Sequence, residues 1–146
     1  YAFLAEVPGE IVRSYKDKLS EKVYQRAIFV SQENSRTLQA AALIQEGKIK
    51  DFGQLMYEAH EGLSAKYEVS CNELDFLVAL SKDMPEVVGS RMMGGGFGGC
   101  TINLVKEDFV DTFIDRATKA YKKEFDIDLT PILVATSNGV EIIKST

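Results

Sequence analysis

Hydrophobic positions along this chain change period three times. From Ser20 they recur at helical spacing, at Val23, Ala27, Val30, Leu38 and Ala42. Ser20 suits an N-cap with Glu21 in the first turn, and Gly47 suits a stop. A second helix is expected from about Asp51, where Phe52, Leu55, Met56, Ala59 and Leu63 share one apolar face. The short link around Gly47 makes these two helices antiparallel neighbours. A third helix should follow Ser70. Glu73 lies three residues on, at capping-box spacing, and Val69 and Leu74 occupy the positions of a hydrophobic staple. Leu74, Leu77 and Val78 supply its buried face, and it ends before Pro85.

The period then falls to two. Residues 86–93 and Cys100–Val105 read as strands on either side of a glycine cluster, and in the second Cys100, Ile102 and Leu104 alternate with Thr101, Asn103 and Val105. Helical spacing returns with Phe109, Phe113, Ile114, Ala117 and Tyr121 as an inner face. Glu107 and Asp108 stand at its start and Lys119, Lys122 and Lys123 at its end, as the helix dipole favours. Residues 132–136 and 140–143 read as a last strand pair turning at Asn138-Gly139. The order predicts an α+β fold: a ferredoxin-like two-layer sandwich, with a largely antiparallel four-stranded sheet, helices on one face and an N-terminal helical hairpin. Residues 1–146 form one domain, with 1–68 as the helical hairpin region and 69–146 as the sandwich.

Composition narrows the function. The chain has 146 residues, 45% of them hydrophobic, enough for a core, yet no apolar run approaches the ~18 residues of a membrane span. A net charge of −5 with no basic stripe argues against nucleic acid. It leaves phosphate ligands open, because backbone N–H groups can hold them. Nothing at the start resembles a signal peptide, and the opening YAFLAEV predicts a piece cut from a larger protein. Cys71 and Cys100 have no metal-ligand spacing and read as small buried hydrophobes in a reducing cytoplasm.

Five of the eleven glycines, Gly94, Gly95, Gly96, Gly98 and Gly99, surround Phe97. That much bare backbone suggests close approach by a phosphate, by another loop, or by the turn itself. Gly94, Gly96 and Gly99 match G-x-G-x-x-G, but a strand follows where a dinucleotide site needs a helix. No Gly-Lys-Ser/Thr makes a Walker A loop. A bare turn explains one or two of the glycines, so five suggest more than a hairpin.

The run GSRMMGGGFGGCTINLV resembles the third conserved motif of the galactokinases, within the GHMP kinase superfamily. AHEGLSAKYEVSCNELDFLV, residues 59–78, is similar to a second galactokinase segment, through Tyr67, Glu68, Val69, Ser70, Cys71, Glu73, Leu74 and Asp75. SQENSRTLQAA, around Glu33, Asn34 and Arg36, resembles a third stretch. The likeness covers residues 20–105. Ala59 stands where the family has Ser, and Met93 where it has Thr, each removing a hydroxyl. The family's Gly-Glu-His sugar motif, its Gly-Leu-Ser-Ser-Ser phosphate loop and its catalytic Asp with Arg do not occur here. The resemblance therefore implies a C-terminal domain of an ATP-dependent galactokinase. ATP and Mg²⁺ would be its cofactors and galactose its substrate, and a missing N-terminal domain would be its partner and hold the base and the Mg²⁺ ligands. Alone, the chain is expected to be inactive and to self-associate through uncovered apolar surface. Gly94, Gly95, Gly96, Phe97, Gly98 and Gly99 would line or buttress the nucleotide phosphates. A non-catalytic sugar-sensing paralogue and a stand-alone ferredoxin-like sensor domain remain open alternatives.

Other chemistry is sparse. Arg91 reads equally as a phosphate ligand or as the partner of a core carboxylate. His60, the only histidine, lies beside the Phe52, Leu55 and Met56 face and reads as a packing residue rather than a base. Glu68 and Asp75 read as surface or capping groups. Phe97 could stack on adenine, but alone among glycines it reads as an anchor to the core.

Overall fold

The computed structural model describes residues 1–136 and Gly139. A short helix α1 (Gly9–Ser14) precedes two long ones, α2 (Glu21–Gln45) and α3 (Ile49–Ala65). Ser20 caps α2 as expected, its Oγ accepting from the Val23 N–H at 3.4 Å. The two helices run antiparallel. Near the open end of the pair Phe29 packs on Gly62, so closely that a Cβ there would lie 2.3 Å from the ring. Nearer the connection, Arg36 faces Glu58 at 3.8 Å. Phe29 also stacks obliquely on Tyr67, with ring centroids 5.5 Å apart.

Helix α4 (Asn72–Lys82) begins one residue later than the capping box requires. Its N-cap is Cys71, which makes no side-chain cap bond, because the Ser70 hydroxyl turns instead to Asp75. Strands β1 (Val87–Met93) and β2 (Cys100–Val105) pair antiparallel across the glycine loop, with Met93 opposite Cys100 and Ser90 opposite Asn103. A 3₁₀ turn over Glu107–Phe109 leads into α5 (Val110–Phe125), which buries Ala117 and Tyr121. Phe76 of α4 meets Phe125 edge-on at 5.3 Å, and Tyr121 lies 5.0 Å from Phe125, so α5 docks on α4 through aromatic rings.

Helix α3 lies against β1 with almost nothing between the two backbones. A Cβ at Gly53 would sit 2.1 Å from the Val88 carbonyl oxygen, and one at Gly89 would sit 2.6 Å from the Gly53 Cα. Tyr57 donates its hydroxyl to the Val87 carbonyl at 3.3 Å. Ala59, Leu74, Val78, Val87 and Met92 are buried around this contact and form the core that carries the loop.

The sheet differs from expectation. The described residues contain two strands, not four. Residues 132–136 take no regular structure, and Ile132, Leu133 and Val134 are exposed. Residues 140–143, the expected partner strand, lie outside the described residues. Strand β2 also faces the other way. Thr101 and Asn103 point inward while Cys100 and Ile102 are exposed, because Asn103 accepts the hydroxyl of buried Ser90 at 2.6 Å. Cys100 is therefore a surface thiol, and Cys71 is half-buried.

Candidate functional site

The six residues between β1 and β2 hold the chain's most unusual backbone. Gly94, Gly96, Gly98 and Gly99 have φ of +80°, +82°, +127° and +90°, and Phe97 has +59°. Side chains avoid this region, so the loop's shape alone demands glycine at four of the five positions. That corrects the expectation that a hairpin would need only one or two. Gly95 is under no such constraint.

Close approach occurs at one glycine. A Cβ at Gly96 would fall 1.9 Å from the Val69 carbonyl oxygen. The same oxygen accepts the Phe97 N–H at 2.7 Å. Gly96 thus presses the loop onto the link between α3 and α4. Around Gly94, Gly95, Gly98 and Gly99 a Cβ would meet nothing within 4 Å, so the other side of the loop is open backbone. Phe97 does not anchor the loop in the core. Its side chain is 75% exposed.

Beneath the loop lies a polar cluster that the sequence did not single out. His60 is only 6% exposed and joins three elements. Its Nδ1 accepts the Met92 N–H of β1 at 3.2 Å, which places its proton on Nε2, 3.1 Å from the Asp75 Oδ1 of α4. Asp75 also accepts the Ser70 hydroxyl at 2.5 Å and the Ser64 hydroxyl at 2.9 Å. His60 is a fully partnered buried imidazole, and Asp75 is the centre of a network rather than a cap. Burial pushes the His60 imidazole below its ordinary range, against the upward pull of Asp75. The available signal was the position of the one histidine on the inner face of α3. What it touches depends on tertiary placement.

Arg91 donates its Nε to the Met92 carbonyl at 3.0 Å, two residues before the loop. Glu68, with φ of +60°, receives Lys22 at 3.0 Å and Arg26 at 2.8 Å, which hold its carboxyl below the usual range and tie the α3–α4 link to α2. Ala59 is buried where a hydroxyl was expected, and Met93 is half exposed beside the loop. Among the described residues no three His, Cys, Asp or Glu side chains come together as a metal ion would require. A cavity of about 370 Å³ lies between α1, α2 and α3, lined by Arg13, Gln32, Arg36, Glu58 and Lys66 and by none of the loop glycines.

Residues 40–123 match the family model described as "GHMP kinases C terminal". The chain belongs to that family. The matched segment runs from the end of α2 through α3, the network, the loop and most of α5. A galactokinase of Clostridium acetobutylicum is 39% identical over 142 residues, 97% of this chain and 36% of that protein. One of Bacillus subtilis is 46% identical over 99 residues, 68% of this chain and 25% of that protein. The Lactococcus lactis galactokinase structure, solved in complex with galactose, superimposes with a TM-score of 0.82 at 32% identity, over 88% of this chain and 33% of that one. The chain thus matches between a quarter and just over a third of the length of these relatives.

Proposed function

We propose that this chain is the C-terminal part of a galactokinase that transfers the γ-phosphoryl group of ATP to galactose, giving galactose 1-phosphate and ADP. One observation carries the reading: a left-handed glycine loop with an open backbone face, in a chain whose relatives at 37–46% identity are galactokinases. Phosphoryl transfer depends on positioning and on charge stabilisation at the transferring group. A loop whose shape is fixed on one side by Val69 can offer backbone to phosphate, or to a facing phosphate loop, on the other. Gly94, Gly95, Gly96, Phe97, Gly98 and Gly99 are therefore assigned to lining or buttressing the nucleotide phosphates.

The sugar ligands, the base and the Mg²⁺ ligands are assigned to the part of the relatives that this chain does not span. We place the working enzyme in the cytoplasm. Residues 1–68 serve as the helical hairpin region and 69–146 as the sandwich of one domain. The exposed apolar residues Tyr1, Phe3 and Leu38 fit a surface that the rest of the kinase covers.

The test is a galactose and ATP assay on the full-length protein and on this chain alone. The full-length protein should turn over and the chain alone should not. Sugar and ATP binding without turnover in the full-length protein would make it a sensing paralogue. Turnover by the chain alone would overturn the division of labour.

A further inference from the structure

We propose that His60 and Asp75 are positioning residues for the glycine loop, fixing both of its supports through one hydrogen-bonded pair of a buried imidazole and a half-exposed carboxylate. The loop is held at two places. At its root, Met92 precedes Gly94 by two residues, and its N–H ends on His60 Nδ1. At its tip, Phe97 and Gly96 rest on the Val69 carbonyl, and the next residue, Ser70, donates to Asp75. Asp75 in turn receives His60 Nε2, so root and tip converge on one carboxylate. Ser64 supplies a third contact to that carboxylate, from α3.

The chemistry sets the direction of any response. Neutral His60 uses both nitrogens, one accepting and one donating. A proton added to Nδ1 removes the acceptor for Met92 and leaves a buried N–H facing a buried N–H. Acid therefore loosens the loop's root while strengthening the pairing of His60 with Asp75. The charged groups facing the imidazole are Asp75 and Lys82 from α4 and Arg91 from β1. The two cations oppose protonation and Asp75 favours it. The pair contacts no reacting atom, so its effect reaches chemistry only through loop position. The kinetic consequence rests on the kinase reading above; the structural one does not.

Hydrogen-exchange mass spectrometry on the full-length protein tests the structural half without any turnover. Protection factors of the peptide covering residues 90–100 are compared with those of α5. In the unaltered protein, acidification from pH 7 to 5 should lower protection of 90–100 more than that of α5. Asp75→Ala should lower it at pH 7 by roughly tenfold, the worth of about one hydrogen bond to a charged group, leaving α5 unchanged. His60→Asn keeps an acceptor near the place of Nδ1 but cannot titrate. It should hold protection close to that of the unaltered protein and abolish the acid response. Unchanged 90–100 exchange in Asp75→Ala, equal loss in all peptides, or an acid response surviving in His60→Asn would each overturn the proposal. In the galactose assay, Asp75→Ala should lower kcat with the KM for galactose unchanged. An unaltered protein without turnover would sink the kinase reading alone, and the exchange data would still decide the positioning.

Discussion

At His60 burial gives folding stability a definite pH dependence. An unfolded imidazole takes up its proton near pH 6.5. In the folded chain burial delays that to lower pH. Between the two values the unfolded state binds more protons, so stability rises with pH across that window. The contribution is complete above about pH 6.5 and is lost as pH falls through the folded-state value. Melting midpoints from pH 7.5 down to 5 should fall more steeply for the unaltered chain than for His60→Asn. The glycine loop makes a second contrast. Gly96→Ala combines a φ of +82° with a 1.9 Å clash on the Val69 carbonyl, whereas Gly95→Ala meets open space at an ordinary φ. Gly96→Ala should cost about 2 kcal/mol or more, and Gly95→Ala should fall within about 0.5 kcal/mol of the unaltered chain. Denaturant unfolding of both variants checks this, and equal effects would show that Val69 yields easily.

At the scale of elements, the Gly53–Val88 contact predicts the sharpest structural failure. A methyl at position 53 meets backbone rather than a movable side chain. Gly53→Ala should therefore destabilise by about 3 kcal/mol, although alanine favours helix by up to ~1 kcal/mol at an exposed site. Circular dichroism with urea unfolding would show a lowered midpoint; an unchanged midpoint would mean that α3 and β1 can separate slightly at no cost. The four longer helices were legible in the sequence, because amphipathic spacing over several turns survives local uncertainty, whereas the six-residue α1 was too short to show it. Val23 to Ala42 located α2, and the switch to period two located β1 and β2. What eluded the pattern was decided by single hydrogen bonds. Ser70 had the spacing of a cap, yet its hydroxyl found a carboxylate. Alternation in β2 was right in period and reversed in face, because Ser90 draws Asn103 inward. The glycine loop was legible as a loop between strands. The polar network beneath it was not, since residues 60, 75 and 92 meet only after three elements have packed.

For the whole chain, the exposed apolar residues at Tyr1, Phe3, Leu38 and Ile132 to Val134 predict association when it is made alone. Sedimentation at rising concentration should show dimers or larger species that the full-length protein does not form. A strict monomer would mean that these residues are scattered too thinly to stick. Phe97 carries a different consequence. Its ring stands in solvent while its backbone is already locked in a left-handed turn by the Val69 carbonyl. Ordering an interface loop usually subtracts from affinity at the moment of contact. Here that subtraction is made during folding, so a contact that covered the ring would gain its apolar burial nearly undiminished. Releasing the lock while keeping the ring would return that ordering cost to the moment of contact, and so weaken it without any lost touching atom.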